Sequence, residues 1–165
     1  MTRAVLSLGS NQGDRLAHLR LAVAGFQDVL EKASPVYETA PWGVTDQPDF
    51  LNAVLLVSSP DIDEWGWLTR GQALEQQAGR VREQHWGPRT LDVDVVTVAG
   101  VTSTHPDLLL PHPGTPSRAT VLIPWLAVDP DATLPGHGPV AALLAALPSE
   151  DRAGVRERRD LSLLP

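Results

Sequence analysis

The stretch R-V-R-E-Q-H-W-G-P-R-T-L-D-V-D-V-V covers Arg80–Val96, and its second half predicts the strand around which the fold is organised. Two acids, Asp92 and Asp94, alternate there with the apolar residues Leu91, Val93 and Val95. Side chains of a β-strand point alternately to its two faces. We therefore expect the apolar side chains to enter the core and both carboxylates to share the opposite face.

Two carboxylates on one strand face indicate a metal site. Side chains two residues apart on a strand are separated by about 6.6 Å, so Asp92 and Asp94 can bind the same small cluster of ions. Without a cation, the two like charges would repel each other. Mg²⁺ commonly binds one or two carboxylates together with the phosphate oxygens of a substrate. The alternative is an ordinary solvated strand face without a metal.

The arginines ahead of the acids favour the metal interpretation. Arg80, Arg82 and Arg89 flank a turn-forming Trp86-Gly87-Pro88. A guanidinium group is permanently charged, and it can donate two hydrogen bonds to phosphate oxygens. Arginines beside a metal held by carboxylates are typical of phosphoryl transfer, in which catalysis depends on positioning and on stabilisation of charge.

Composition excludes several other classes of protein. The chain has 165 residues, 42% of them hydrophobic, and a net charge of -7, which argues against a general nucleic-acid binder. Lys32 is the only lysine, so a Walker-type phosphate loop is excluded, and the absence of cysteine excludes disulfides and thiolate metal sites. No apolar run approaches the length of a membrane span. We expect a cytoplasmic monomer that binds neither nucleic acid nor membrane.

Hydrophobic periodicity predicts alternating strands and helices. The predicted strands are residues 4–9, Ser34–Ala40, Phe50–Val57, 91–96 and a short partner strand near Val101–Thr104. The predicted helices are Arg15 to about Glu31 after an Asp14 cap, Ile62 to about Ala78 after an Asp61/Glu64 capping box, a helix capped by Ser117 whose first turns Pro124 should distort or end, and Ala141–Leu147. In the second helix, Trp65, Leu68 and Gln72 are predicted to share one face, and Gly71 weakens the prediction.

These elements predict an α+β fold. The loop Pro41–Pro48 between the second and third strands is short, and a short loop permits antiparallel pairing, whereas parallel strands need a long crossover. We find neither repeats nor a linker, so we expect one domain over residues 1–165. The charge-dense Glu150–Arg159 has few apolar residues, and we expect a frayed tail from about residue 150.

The separated motifs together resemble the hydroxymethyl-dihydropterin pyrophosphokinase family. The similarity rests on R-V-R…W-G-P-R-T-L-D-V-D and extends from the L-S-L-G-S-N motif at Leu6–Asn11 through Asp129-Pro130. It implies a ferredoxin-like βαββαβ core, with a mostly antiparallel sheet covered by helices. It also implies transfer of pyrophosphate from ATP to the hydroxymethyl group of 6-hydroxymethyl-7,8-dihydropterin in folate biosynthesis, which gives AMP and the pterin diphosphate.

The resemblance implies a role for each candidate residue. Two Mg²⁺ ions would bind Asp92 and Asp94, and these acids would act in catalysis with Arg82 and Arg89. A lid would carry Trp86 and the three arginines. The nucleotide would contact Glu75, Arg80, Arg82, Arg89, His112 and Arg118. The pterin side would comprise Thr39, Ala40, Pro41, Trp42, Phe50, Asn52, Trp86 and Thr120.

The residues alone leave alternatives open. His112 is equally consistent with a surface loop, and Asn52 with a polar residue at a strand edge. Trp86 and Phe50, taken singly, are more typical of packing residues. We interpret Gly9-Ser10-Asn11 with Gly13 as a strand-to-helix turn rather than a phosphate loop.

The chain departs from the family at two positions. His85 precedes the lid tryptophan where many members have arginine, and Thr120 stands where an aromatic residue is common. These departures motivate one rival function, a non-catalytic nucleotide- or pterin-binding homologue. Another D-x-D metal-dependent enzyme is a second, separate rival. Identification of the products from ATP and the pterin would separate them.

Overall fold

The computed structural model describes residues 2–40, 46–79 and 90–164. Its strands are β1 (Thr2–Ser10), β2 (Leu30–Ala33), β3 (Tyr37–Thr39), β4 (Phe50–Ser59), β5 (Asp92–Val98), β6 (Ser103–His105), β7 (Leu108–Leu110), β8 (Thr133–Leu134), β9 (Gly138–Pro139) and β10 (Arg156–Glu157). Its α-helices are α1 (Arg15–Gly25), α2 (Glu64–Gln77), α3 (Ala119–Val128), α4 (Val140–Ala146) and α5 (Ser149–Ala153).

Within the described residues, the main sheet is antiparallel throughout. Its strands run in the order β10-β3-β4-β1-β5, and β2 also pairs with β4. Along the chain, β1, α1, the β2–β3 segment, β4, α2 and β5 form a βαββαβ unit in which β1 lies between β4 and β5. The α+β fold with a mainly antiparallel sheet is therefore confirmed.

Alternation along the strands divides the core between the two faces of the sheet. Leu6 and Leu8 of β1 pack on one face with Phe26 and Trp67, beneath α1 and α2. The opposite face is packed by residues of β4, β5, α3 and α4, among them Val54, Val96, Leu122 and Trp125. Because α3 and α4 occupy only part of this second face, the remainder can support a binding site.

The first helix begins as predicted but ends earlier. Asp14 Oδ1 accepts a hydrogen bond from the backbone N–H of Ala17 at 3.1 Å, which confirms the predicted cap. The predicted end near Glu31 is wrong, because α1 ends at Gly25 and the chain then forms β2. At Gly25 a Cβ atom would overlap the side chain of Leu74, so glycine allows α2 to approach closely. Pairing with β4 satisfies the backbone of a segment whose apolar spacing also suited a helix.

The second helix is capped by a different acid from the one predicted. Asp63 Oδ1 accepts from the backbone N–H of Gly66 at 2.8 Å, so the predicted Asp61/Glu64 capping box is wrong. Trp65, Leu68 and Gln72 share one side of α2, as predicted, and this side faces the β6–β7 hairpin and the space beside it instead of the core. Trp65 is 38% exposed, and the buried residues are Trp67, Gly71, Leu74 and Glu75.

Gly71 brings α2 close to the acid-bearing strand. A Cβ atom at Gly71 would lie 2.8 Å from Cγ1 of Val93, closer than ordinary packing permits. Judged by helix propensity alone, glycine at this position destabilises the helix. In the fold, the missing side chain instead sets the distance between α2 and β5.

Two predictions after β5 need correction. The predicted partner strand near Val101–Thr104 is β6, which pairs with β7 rather than with β5. Ser117 lies in a 3-10 turn, and the N-cap position of α3 is Arg118. Pro124 does not end the helix, which continues to Val128.

The last segment also differs from the predicted frayed tail. After the predicted short helix, observed as α4, the chain forms α5 and then β10, which pairs with β3. Leu163 is buried in the core. Over the described residues, no helix is long and apolar enough to cross a membrane.

Candidate active site

A cavity of about 540 Å³ opens on the part of the sheet that α3 leaves uncovered. It is lined by every described residue that the sequence assigned to a site: Thr39, Ala40, Phe50, Asn52, Glu75, Asp92, Asp94, His112, Arg118 and Thr120. The predicted residues Pro41, Trp42, Arg80, Arg82, Trp86 and Arg89 lie outside the described residues. Residues separated by up to 81 positions in sequence therefore face one space.

The register of three strands sets the floor of this cavity. Gly9 of β1 pairs with Asn52 of β4 on one side and with Asp92 of β5 on the other. Ser7 pairs in the same way with Asp94 of β5. Paired residues in antiparallel strands share a face. The amide of Asn52 and the carboxylate of Asp92 are thus in one row, separated by a residue without a side chain.

Gly9 leaves room above this row. A Cβ atom at Gly9 would lie 3.6 Å from Asn52 Oδ1 and 3.6 Å from Phe50 Cδ1, so its absence leaves cavity space rather than relieving a clash. The sequence predicts Gly9 both as the last residue of the first strand and as part of the turn that follows it. Gly13 has the positive φ, at 70°, expected of such a turn, whereas Gly9 lies within β1.

A buried carboxylate anchors the acid-bearing strand to α2. Glu75 is 4% exposed, and its Oε2 accepts a hydrogen bond from the backbone N–H of Val93 at 2.9 Å. Val93 lies between Asp92 and Asp94, so this bond fixes the backbone of β5 between the two acids. Both acids are partly exposed and line the cavity.

The donor set fits Mg²⁺. Asp92 and Asp94 supply hard oxygen ligands from one strand face, and Mg²⁺ typically uses one or two carboxylates plus water and phosphate oxygens. No group of three or more His, Cys, Asp or Glu side chains is arranged for a metal within residues 2–40, 46–79 and 90–164. Oxygen atoms of a substrate would therefore complete the coordination of an ion bound by these two acids.

The opposite end of the row suits a flat heterocycle. Asn52 Nδ2 donates to Thr39 Oγ1 at 2.8 Å, which fixes the orientation of the amide. Its Oδ1 and second N–H remain suitable for the alternating acceptors and donors of a heterocyclic edge. Phe50 is partly exposed in the cavity and offers a ring face for stacking. Thr120 also lines the cavity.

His112 and Arg118 border the cavity beyond the metal strand. The backbone N–H of His112 donates to Val96 O at 2.9 Å, which ties this loop to β5. The ring Nδ1 accepts from the backbone N–H of Gly114 at 3.4 Å, which places the proton of the neutral ring on Nε2. A Cβ atom at Gly114 would lie 2.7 Å from Arg118 Cζ, so the glycine makes room for the guanidinium group.

The environment of His112 disfavours its charged form. Burial lowers the pKa of the imidazole below its ordinary value of 6.5, and the positive charge of Arg118 lowers it further. The negative charge of Asp92 opposes these effects without reversing them. His112 is thus a neutral hydrogen-bond donor at neutral pH.

The sequence predicts only Glu75 at the end of the cavity near α2. Leu68 and Gln72 of α2 face a hairpin wall formed by Pro106, Asp107, Leu108 and Leu109. Trp65 contacts His105 of this hairpin edge to face, with ring centroids 4.9 Å apart. Gln72 could have been found, because it lies one helical turn before Glu75. The hairpin residues carry no comparable signal, since only the fold brings them to α2.

The G-S-N motif has a structural role. Asn11 is fully buried, and its Nδ2 donates to Gln47 Oε1 at 2.7 Å and to Pro48 O at 3.0 Å. These bonds hold the end of the Pro41–Pro48 loop beside β1. This supports the structural interpretation of the motif over a phosphate loop.

The sequence of the chain is similar to those of known proteins of one family. Residues 5–130 match the family model described as 7,8-dihydro-6-hydroxymethylpterin-pyrophosphokinase (HPPK). The chain is 51% identical to a 2-amino-4-hydroxy-6-hydroxymethyldihydropteridine pyrophosphokinase of Mycobacterium tuberculosis, over 94% of this chain and 89% of that one. It is 36% identical to the enzyme of the same name from Pseudomonas aeruginosa, over 90% of this chain and 93% of that one.

Solved structures share the fold at low sequence identity. The wild-type HPPK-DHPS of Plasmodium falciparum superimposes with a TM-score of 0.65 and 13% identity over 87% of this chain. The superposition covers 44% of that longer chain. At this identity the likeness establishes the fold alone.

The lowered pKa of His112 predicts a pH-dependent contribution to stability. The unfolded chain binds a proton near pH 6.5, whereas the folded chain binds it only at lower pH. The contribution of the neutral His112 ring to the free energy of unfolding is therefore fully present above about pH 6.5. It is lost as the pH falls through the pKa that His112 has in the folded protein. We expect His112→Gln to lose less stability than the wild type between pH 7.5 and pH 5.5, measured by urea unfolding in EDTA without nucleotide. The exposed His137→Gln variant should follow the wild type, and equal losses in all three proteins would contradict the prediction.

Proposed function

The chain belongs to the 7,8-dihydro-6-hydroxymethylpterin-pyrophosphokinase family, and from this premise we propose that its cavity holds ATP and the pterin alcohol end to end across the Asn52–Gly9–Asp92 row. The enzyme is a 2-amino-4-hydroxy-6-hydroxymethyldihydropteridine pyrophosphokinase of folate biosynthesis. ATP is its co-substrate. The single observation that supports the proposal is the strand register that brings an amide suited to the pterin and a carboxylate suited to a metal into one row.

The pterin occupies the Asn52 end of the row. Asn52 binds its hydrogen-bonding edge, Phe50 stacks on one ring face, and Thr39 holds the Asn52 amide in place. Ala40 and Thr120 complete the described wall, with Pro41, Trp42 and Trp86 as further contacts outside the described residues. The hydroxymethyl group then extends over Gly9 toward Asp92.

ATP occupies the opposite end. Its nucleoside lies between α2 and the β6–β7 hairpin, where Glu75 borders the cavity. Its phosphates extend toward His112 and Arg118, because a neutral imidazole N–H and a guanidinium group are both donors to phosphate oxygens. Arg80, Arg82 and Arg89, outside the described residues, contribute further positive charge against the transferred group.

Asp92 and Asp94 hold two Mg²⁺ ions in this proposal. Bound there, the ions supply positive charge against the phosphate oxygens of ATP. The rigid backbone between the acids, fixed by Glu75, keeps both carboxylates on the same side of the cavity. Positioning of this kind costs no reorganisation at the moment of reaction.

The reaction needs no protein nucleophile. The hydroxymethyl oxygen of the pterin attacks the β-phosphorus of ATP and loses its proton to solvent, the bond from this phosphorus to the oxygen of the α-phosphate breaks, and AMP leaves. The protein orients the two substrates in line and neutralises charge on the transferred pyrophosphoryl group, with Arg82 and Arg89 assigned to that role.

Product identification tests the proposed chemistry. Protein, ATP, Mg²⁺ and 6-hydroxymethyl-7,8-dihydropterin are mixed, and the nucleotide and pterin products are separated and identified by mass. We expect AMP and the pterin diphosphate in equal amounts. Formation of ADP or free phosphate would indicate a different enzyme, and binding without turnover would indicate a non-catalytic homologue.

Asp92→Asn and Asp94→Asn should each abolish most turnover while leaving the fold intact. The substitution keeps the size of the side chain but removes a charged metal ligand, which costs several kcal/mol of transition-state stabilisation, or roughly 10²-fold or more in rate. Steady-state kinetics and a melting curve measure the two effects. Asp131→Asn, which alters an exposed acid outside the cavity, is the control. A near-normal rate in either cavity variant would disprove the metal assignment.

Thr120→Phe should tighten pterin binding. Thr120 lines the cavity that holds Phe50, and a stacked aromatic contact adds about 0.5–1.5 kcal/mol beyond area burial, or roughly twofold to tenfold in affinity. Trp125 does not fill this space, since it is buried in the core beneath α3. Calorimetric titration of the pterin in the presence of a non-hydrolysable ATP analogue measures the change.

Thr120→Leu separates stacking from simple burial, because leucine adds apolar volume without a ring. We expect the leucine variant to gain less affinity than the phenylalanine variant. Unchanged or weaker binding by Thr120→Phe would mean that the pterin does not lie between Phe50 and Thr120.

We infer the cellular location of the enzyme from its substrates. ATP and a reduced pterin are metabolites of the cytoplasm, so we propose that the enzyme acts there, as one pyrophosphokinase domain over residues 1–165. We also propose that the enzyme acts as a monomer. Size-exclusion chromatography with light scattering tests the oligomeric state.

A further inference from the structure

The C-terminal segment lies beyond the region that matches the family model, which ends at residue 130. In the fold it extends the sheet, because β10 pairs with β3 and places Arg156 opposite Glu38. The backbone N–H of Arg158 donates to Val36 O at 2.7 Å. Arg20 Nε donates to Ser162 O at 2.8 Å and anchors the segment further along. Residues 156–162 are therefore held along the edge of the sheet next to β3.

Two arginines of this segment, Arg156 and Arg158, share the carboxylate of Glu38. The side chain of Glu38 is 12% exposed, and it accepts from Arg15 at 2.6 Å, from Arg158 at 3.0 Å and from Arg156 at 3.3 Å. Arg156 also bonds the carboxylate of Asp49 at 3.2 Å. We call these five residues the Glu38 cluster. A largely buried carboxylate needs cations as partners, since its desolvation is otherwise costly.

The arginines of the Glu38 cluster offset the cost of burying the Glu38 carboxylate. Burial of Glu38 raises the pKa of its carboxyl group, but the hydrogen bonds from Arg15 and Arg158 outweigh burial and leave the pKa below its usual value. Glu38 is therefore charged at neutral pH. Loss of one arginine would leave the charge with fewer donors at a site from which water is largely excluded.

The cluster holds both strand ends that carry the proposed pterin contacts. Glu38 precedes Thr39 in β3, and Asp49 precedes Phe50 in β4. Arg15 joins the two, because its Nη1 bonds both Glu38 and the backbone oxygen of Asp49, the latter at 3.0 Å. Side chains alternate along a strand, so Glu38 faces away from the cavity and can act on it only through the backbone.

We propose that Arg158 is a positioning residue for pterin binding, which acts through Glu38 on the Thr39–Asn52 hydrogen bond and on Phe50. The inference rests on the proposed assignment of Thr39, Phe50 and Asn52 to the pterin. The C-terminal segment therefore contributes to pterin binding, although no residue of that segment lines the cavity. The nucleotide end is built on α2, β5 and the β6–β7 hairpin, none of which contacts Glu38 through the bonds described above.

Arg158→Ala should separate the two substrates kinetically. We expect the KM for the pterin to rise about threefold to tenfold at saturating ATP, while the KM for ATP and kcat stay within about twofold. Arg158→Lys should restore much of the loss, since it keeps a positive charge within reach of Glu38. Arg159→Ala is the matched control, because Arg159 is 87% exposed and pairs with Glu157 instead of Glu38. It should behave as the wild type.

Hydrogen exchange of the strand amides tests the positioning without turnover. In Arg158→Ala, residues 37–39 and 50–52 should exchange faster than in the wild type, whereas residues 92–96 should not change. Arg156→Ala, which alters a more exposed member of the cluster, should show a smaller effect in the same direction if Arg158→Ala fails to fold.

The outcomes distinguish this inference from the proposed function. An unchanged pterin KM and unchanged exchange in Arg158→Ala, with an active wild type, would overturn the role of Arg158. An equal rise in the KM for both substrates would overturn it as well, because it would indicate a general loss of stability. A wild type that does not form the pterin diphosphate would refute the proposed function, and the exchange comparison would still decide whether Arg158 orders β3 and β4.

Discussion

The antiparallel pairing of β1 with both β4 and β5 is the constraint on which the site depends. Because a shift of one residue in strand register moves every side chain to the other face, the row Asn52–Gly9–Asp92 exists in only one register. That register is specified by burial. Leu6 and Leu8 must face α1 and α2, so Ser7 and Gly9 must face the cavity. The hydrophobic core therefore fixes the geometry of the polar site on its opposite side.

The strands and the loop that carry the proposed substrate contacts are also held by hydrogen bonds from other elements. Glu75 of α2 bonds the backbone between Asp92 and Asp94, Thr39 of β3 bonds Asn52, and Asn11 bonds the end of the loop at Pro48. A buried polar group costs stability unless it is hydrogen-bonded, so such bonds also penalise alternative arrangements. The residues that approach the substrates are consequently fixed by partners that lie behind them.

The close approach of elements depends on small residues at particular contacts. Gly71 lets α2 approach β5, Gly25 accommodates Leu74 of α2, and Gly114 leaves room for Arg118. None of the three has the positive φ that usually explains a glycine. Their common function is to remove a Cβ atom from a crowded contact, and two of the three contacts lie directly beside the cavity wall. The absence of a side chain at these two positions therefore affects both the packing of the elements and the shape of the cavity wall.

The sequence by itself determined the strand of Asp92 and Asp94, the α+β class, the Asp14 cap and a set of site residues whose described members all line one cavity. These features are encoded locally, by alternation, by capping chemistry or by a motif whose residues must act together. Only the tertiary structure decided that α1 ends at Gly25, that Trp67 rather than Trp65 is buried, and that the C-terminal segment joins the sheet at β3. The spacing of apolar residues near Leu30 suits a helix and a strand equally. In the sequence, Arg156 and Arg158 resemble ordinary solvent-exposed charges. Only the fold brings Glu38 beside them, because an ion pair between residues 120 positions apart cannot be predicted from local spacing.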